Sequence, residues 1–260
     1  MGAKGEEREA VFFAAPEEEE FPGTSKQEAR REQACQQGPE GHVGRRSDEA
    51  VRPTDVSGYA SRTGTERQKF PRNQECAWVV GHSFVHWAQR RAAKQAYGEN
   101  LNLDTSKWTI QWFGSWGMRW GQLSSFLQDQ KGIRCFPRIM IVHLGGNNIG
   151  KSYCRDLNMN MRKDLVGMLN MMPGMKIGWS DIIIRMKNHA EPLWCWGVKK
   201  VNRQIGKWLV QRGGFWIRHY SSWELIGGFF RSDGVHLSDI GNDLFNNALQ
   251  EGLEQQIRYV

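Results

Sequence analysis

From Ala77 onward, short apolar runs alternate with segments whose apolar residues recur at helical spacing. Ala77-Trp78-Val79-Val80 is a continuous apolar run closed by Gly81, the mark of a strand buried on both faces. Phe84 to Tyr97 reads as a helix stopped by Gly98. Trp108 to Phe113 is a second strand, ended by Gly114 and Gly117. Trp120 to Gln130 is a helix with Leu123, Phe126 and Leu127 on one face. Arg138 to Leu144, carrying Ile139-Met140-Ile141-Val142, is the strongest strand of the chain. Leu157, Met161, Leu165, Met168, Leu169 and Met172 then keep a helical period. Met175 to Ile184 reads as a fourth strand, Trp196 to Gln211 as a helix and Phe215 to Tyr220 as a fifth strand. A last helix runs from about Ser238 to Ile257, capped by Ser238 or Asp239, with Ile240, Leu244, Ala248 and Leu249 toward the core.

The order βαβαβαβαβα, with near-continuous apolar strands, predicts a five-stranded parallel sheet covered by helices on both faces, an α/β/α sandwich. Ligands of such sheets bind beyond the carboxyl ends of the strands, near the reversal in strand order. The loops after strands 1, 2, 3 and 5 are therefore where chemistry belongs.

Composition divides the chain. All twelve tryptophans lie between Trp78 and Trp223, whereas residues 1–75 have none and are rich in Glu, Arg, Gln, Gly, Ser and Thr without helical or strand period. That segment buries too little apolar surface to offset chain entropy, so residues 1–75 are expected to be a disordered polar tail and 76–260 the folded domain. The formal net charge is +7, but the tail holds 12 Lys+Arg against 15 Asp+Glu, which leaves the domain at +10. An anionic partner such as RNA or DNA would be attracted, weakly, since there is no dense basic run and scattered solvated charges give the same total. Five cysteines, Cys35, Cys76, Cys135, Cys154 and Cys195, show no CxxC spacing. With a charged N-terminus that excludes a secretory signal and no long apolar stretch, the expectation is an intracellular, cytoplasmic protein with reduced thiols and no membrane span. The nucleus remains open, and the oligomeric state is unreadable.

Four loops hold candidate chemistry. After strand 1 comes Gly81-His82-Ser83-Phe84, where Ser83 is either a helix cap or a nucleophile at an electropositive helix start. After strand 2, Gly114-Ser115-Trp116-Gly117 is an ordinary turn or a source of a backbone N–H for an oxyanion. After strand 3, Gly145-Gly146-Asn147-Asn148 is a turn or brings an Asn side chain to the same place. After strand 5, Asp233 and His236 are spaced so that a carboxylate can hold an imidazole in one tautomer, although Asp233 could equally cap a turn. Taken together, on one edge of one sheet, these are the parts that serine hydrolysis needs. His82 and His86 are four apart, as metal ligands often are, but no third ligand is evident. The glycines around Asn147 lack the Lys-Ser/Thr ending of a phosphate loop. No metal or organic cofactor is expected. The tryptophans could stack on bases, yet Trp78, Trp108 and Trp112 fit better in or beside the core.

In these blocks the domain resembles the SGNH/GDSL serine hydrolases, esterases and lipases with a flavodoxin-like sandwich. Gly81-His82-Ser83 matches their Gly-Asp-Ser block, Gly117 their second-block glycine with Gly114 as competitor, Gly145-Gly146-Asn147-Asn148 their Gly-x-Asn-Asp, and Asp233-Gly234-Val235-His236 their Asp-x-x-His. Gly81-His82-Ser83-Phe84, Trp179-Ser180-Asp181-Ile182 and Asp233 to Gly241 look closer still to SGNH-like domains of vertebrate transposable-element-derived proteins. The resemblance spans roughly 77–258. It implies Ser83 as nucleophile, His236 as general base and then acid, and Asp233 as its orienting carboxylate. It also implies an oxyanion hole from the backbone N–H groups of Ser83 and Gly117 with the Asn147 side chain. The implied activity is cleavage of small acyl esters through an acyl-enzyme. The rival from another class is a catalytically silent module of the same fold that binds nucleic acid or protein. The chain departs from the pattern at His82 and Asn148, each standing for an Asp, and at Ile184, which replaces a proline before Arg185. Arg185 itself has no assigned role.

Overall fold

The computed structural model describes residues 74–131, 136–219 and 227–258. The expected tail over residues 1–75 lies outside them, apart from Gln74 and Glu75. Along the domain run β1 (Glu75–Gly81), α1 (Ser83–Ala92), β2 (Trp108–Gly114), α2 (Leu123–Lys131), β3 (Ile139–His143), α3 (Cys154–Met171), β4 (Lys176–Ser180), α4 (Pro192–Val210), β5 (Phe215–Ile217) and α5 (Asp239–Ile257). The five strands form one sheet in the order β2-β1-β3-β4-β5, every pair parallel. This is the expected flavodoxin-like order, and it reverses direction at β1 and β3, which places the crevice between their carboxyl ends.

Alternation along each strand sends side chains to two cores. Trp78, Val80, Met140, Val142 and Trp179 pack with Leu123 and Leu127 of α2, Met161 and Leu165 of α3, and Val201 and Ile205 of α4. Ala77, Val79, Ile139 and Ile141 pack instead with Phe84, Val85 and Ala88 of α1 and Phe245, Leu249 and Leu253 of α5. The result is the three-layer sandwich. α1, which begins at Ser83, is tied to α5 by Arg91, which pairs with Asp239 at 2.8 Å and Asp243 at 2.6 Å, while the Tyr97 hydroxyl donates to Asp243 at 2.7 Å.

Several element ends differ from the sequence reading. The first helix stops at Ala92 rather than Tyr97, because Lys94, Gln95 and Gly98 donate in successive three-residue turns that carry Tyr97 to Asp243. The fourth strand stops at Ser180 rather than Ile184. Both backbone groups of Ile182 are taken by one side chain of α4, since Ile182 N–H donates to Asn202 Oδ1 at 2.8 Å and Asn202 Nδ2 donates to Ile182 O at 2.9 Å. α4 begins at Pro192, four residues earlier than read, with the proline in its first turn, where no N–H is needed. The fifth strand is three residues long, and Tyr220 lies outside the described residues.

Candidate active site

The turn from β1 into α1 sets the first candidate residue. His82 is extended (φ −84°, ψ −160°) and caps the helix, its Nδ1 accepting from Phe84 N–H at 3.3 Å. The cap is therefore filled by His82. Ser83, buried as the first helical residue, keeps a hydroxyl without a hydrogen-bond partner among the described residues. Its N–H belongs to the first turn, where no intrahelical carbonyl is available and the helix is electropositive.

Asp233 and His236 meet as their spacing predicts. Asp233 Oδ2 lies 2.7 Å from His236 Nδ1, and Oδ1 accepts from the N–H groups of Val235 at 2.8 Å and His236 at 2.9 Å. Desolvation pushes the Asp233 carboxyl up, but the bonds from the His236 ring, His236 N–H and Val235 N–H outweigh it and hold the group at about 2. The carboxylate is thus ionised at neutral pH and accepts a hydrogen bond from Nδ1–H of the ring, which turns Nε2 away from it. The loop is fixed on two sides, by Arg231 N–H to His236 O at 2.8 Å and by Lys187 N–H to Gly234 O at 2.9 Å. Among the described residues no hydrogen bond joins the Ser83 hydroxyl to His236. The Trp116 ring, more than half exposed, lies 6.0 Å from the His236 ring.

The two glycines after β2 do different work. A Cβ on Gly114 would sit 2.2 Å from the backbone nitrogen of His86, so this glycine lets the strand end abut α1. Gly117 turns with φ +64°, and a Cβ there would meet open space. The loop after β3 is stitched to this turn: Asn147 Nδ2 donates to Met118 O at 3.0 Å, and Asn148 Oδ1 accepts from Trp120 N–H at 2.9 Å. At Asn148 the contact to this turn is thus made by an amide oxygen. Asn147 Oδ1 accepts from Arg185 Nη2 at 2.7 Å, which fixes the amide with its nitrogen toward the Gly117–Met118 turn.

Beneath the turn His82 is joined by two buried imidazoles, His143 and His219, that no sequence motif marks. Ser180 Oγ bridges His143 Nδ1 at 3.0 Å and His219 Nε2 at 2.8 Å, and the His82 ring is 5.0 Å from that of His143. Burial first, then the charges of Arg185 and His236, pulls His82 down to about 3. Burial does the same to His219, to about 3, and lowers His143 well below the usual imidazole range. Burial also pushes Asp181 up to about 6, against the hydrogen bond from Trp216 Nε1. The position of His143 at the end of the strongest strand, just before Gly145-Gly146, was the one available signal. Arg185 had none beyond its place after strand 4.

Neither a family model nor a curated protein matches the sequence. Solved structures do share its fold. A member of the lipolytic protein G-D-S-L family from Veillonella parvula superposes with a TM-score of 0.54 at 12% identity, covering 68% of this chain and 97% of that one. A GDSL-like lipase from Bacteroides thetaiotaomicron gives 0.53 at 11% identity, over 70% and 89% of the two chains. A carbohydrate esterase family 3 structure from Talaromyces cellulolyticus gives 0.51 at 17% identity, over 72% and 100%. At these identities the likeness is one of fold. No helix among the described residues is long and apolar enough to cross a membrane.

Proposed function

We propose that the domain, residues 76–260, is a serine hydrolase that cleaves small carboxylic esters, acetates among them, through an acyl-enzyme. Ser83 Oγ attacks the ester carbonyl while His236 Nε2 takes its proton, and Asp233 stabilises the imidazolium. The tetrahedral oxyanion is met by the N–H groups of Ser83 and Gly117 and by Asn147 Nδ2, each donor contributing about a hundred- to a thousandfold. His236 then protonates the leaving alcohol, and water, deprotonated by the same ring, releases the acid and restores Ser83. The Ser83–His236 bond is one that forms with substrate in place, since catalytic hydrogen bonds tighten in the Michaelis complex. The observation that carries this reading is the 2.7 Å Asp233–His236 bond, with the carboxylate braced by two backbone N–H groups. A Ser83 hydroxyl spared from capping and the lipase and esterase neighbours add support.

A fluorophosphonate probe should label the wild-type protein on the peptide containing Ser83, and Ser83→Ala should abolish both the label and turnover of 4-nitrophenyl acetate. Label on another residue, or turnover untouched by Ser83→Ala, overturns the assignment. One feature favours a second reading, a silent nucleic-acid-binding module. Trp87, Arg90, Arg91, Lys94 and Arg231 surround a cavity of about 140 Å³ whose one acid, Asp239, is already paired with Arg91. A chain that takes no label yet binds single-stranded RNA with a steep salt dependence would select it.

A further inference from the structure

Arg185 stands where the chain leaves the sheet after β4, and its guanidinium is recessed into the site. Nη2 donates to Asn147 Oδ1 at 2.7 Å, and Cζ lies 6.0 Å from the centre of the Phe84 ring. No carboxylate pairs with it among the described residues. A guanidinium offers five N–H donors, and a half-buried cation without a counter-ion is costly to keep. Burial lowers its pKa, so its surroundings solvate the charge poorly. His82 supplies a second donor. Because its Nδ1 accepts from Phe84 N–H, the neutral ring carries its proton on Nε2, which has no partner among the described residues. Around the position a Cβ on Gly146 would occupy stand Ile182 Cγ2 at 3.3 Å, Arg185 Nη2 at 3.4 Å and His82 Nε2 at 3.5 Å. The two donors therefore converge on one face of Gly146, one residue before Asn147, and His82 itself immediately precedes Ser83.

We propose that Arg185 and His82 form a two-donor subsite for an anionic group, a carboxylate or a phosphate, carried by the ester, so that anionic esters are the substrate class of this site. The proposal rests on the hydrolase reading for its substrate but not for its anion.

The test compares kcat/KM in two matched pairs. In 4-nitrophenyl hemisuccinate against 4-nitrophenyl acetate the charge is on the acyl side. In acetylsalicylate against phenyl acetate it is on the leaving side. Wild type should favour the anionic member of one pair. Arg185→Gln should lower that preference by tenfold or more, and Arg185→Lys should restore part of it, with thermal unfolding showing each variant folded. If Arg185→Gln slows both members of each pair equally, Arg185 serves only to position Asn147 and the subsite falls. Calorimetric titration of the full chain with succinate and with inorganic phosphate separates this from the hydrolase reading. Binding of either anion that is lost in Arg185→Gln upholds the subsite even if no ester is turned over. Absence of binding for both at 10-millimolar concentrations (roughly the weakest useful Kd, about 3 kcal/mol) overturns it.

Discussion

His82 shows how much one side chain at a strand–helix junction decides. Its Nδ1 closes the first turn of α1, so the neighbouring serine keeps its hydroxyl, and its burial keeps it uncharged beside a cation. Asp233 works in the opposite sense, as a half-exposed group held ionised by three bonds from its own loop. Replacing it by Asn keeps the shape but removes the charge and lets the imidazole take the wrong tautomer. Asp233→Asn should lower kcat for 4-nitrophenyl acetate by about 10⁴-fold while leaving thermal unfolding within a degree or two, since the side chain is largely solvated. A fall of less than about tenfold would remove the carboxylate from the mechanism.

At the level of elements, the central strands were plain in the sequence because β1 and β3 are buried on both faces and so read as unbroken apolar runs. The ends of elements were not, because bonds from distant side chains set them. Asn202 ends β4 by binding both backbone groups of Ile182, and Asp243, on α5, receives Tyr97 after α1 has ended. The same divide runs through the site. The Asp233–His236 contact is legible from a local spacing, and the position of Ser83 at a strand–helix turn from its place after a strand. Arg185, His143 and His219 matter through burial, which no local pattern encodes. Asn202 links the two levels, since the stretch it holds delivers Arg185 to Asn147. Asn202→Ala leaves the Ile182 N–H and C=O unpaired in a buried place and should cost about 2–4 kcal/mol in urea unfolding. Asn202→Asp, which keeps the acceptor but not the donor, should cost less than Asn202→Ala. Equal, negligible costs for both would mean that the strand end is set by something other than this clamp.

For the molecule as a whole, the buried imidazoles make stability a function of pH. Unfolded, the rings of His82, His143 and His219 take up protons near their ordinary value of 6.5; folded, His82 and His219 wait until about 3 and His143 also lies well below 6.5. Between these limits the unfolded chain binds more protons, so stability is complete above about pH 7 and is lost as pH falls. Asp181 acts the other way: folded near 6 and unfolded at 3.8, it gives the native state an extra proton between about pH 6 and 4 and offsets one imidazole. Near pH 5 His82 and His219, less the opposing Asp181, leave the unfolded chain with about one extra proton, a loss of about 1.4 kcal/mol for each pH unit, and His143 adds to it in the same direction. Urea midpoints measured from pH 8 to pH 5 should therefore hold level to about 7 and then fall steeply. His219→Gln, which keeps a polar group beside Ser180 but cannot titrate, should cut the slope by about 1.4 kcal/mol per pH unit. Asp181→Asn should instead steepen it by a similar amount, because the opposing proton is gone. A wild-type midpoint that stays level down to pH 5 would mean that these rings are charged in the fold, and the neutral His82 of the proposed anion subsite would go with them.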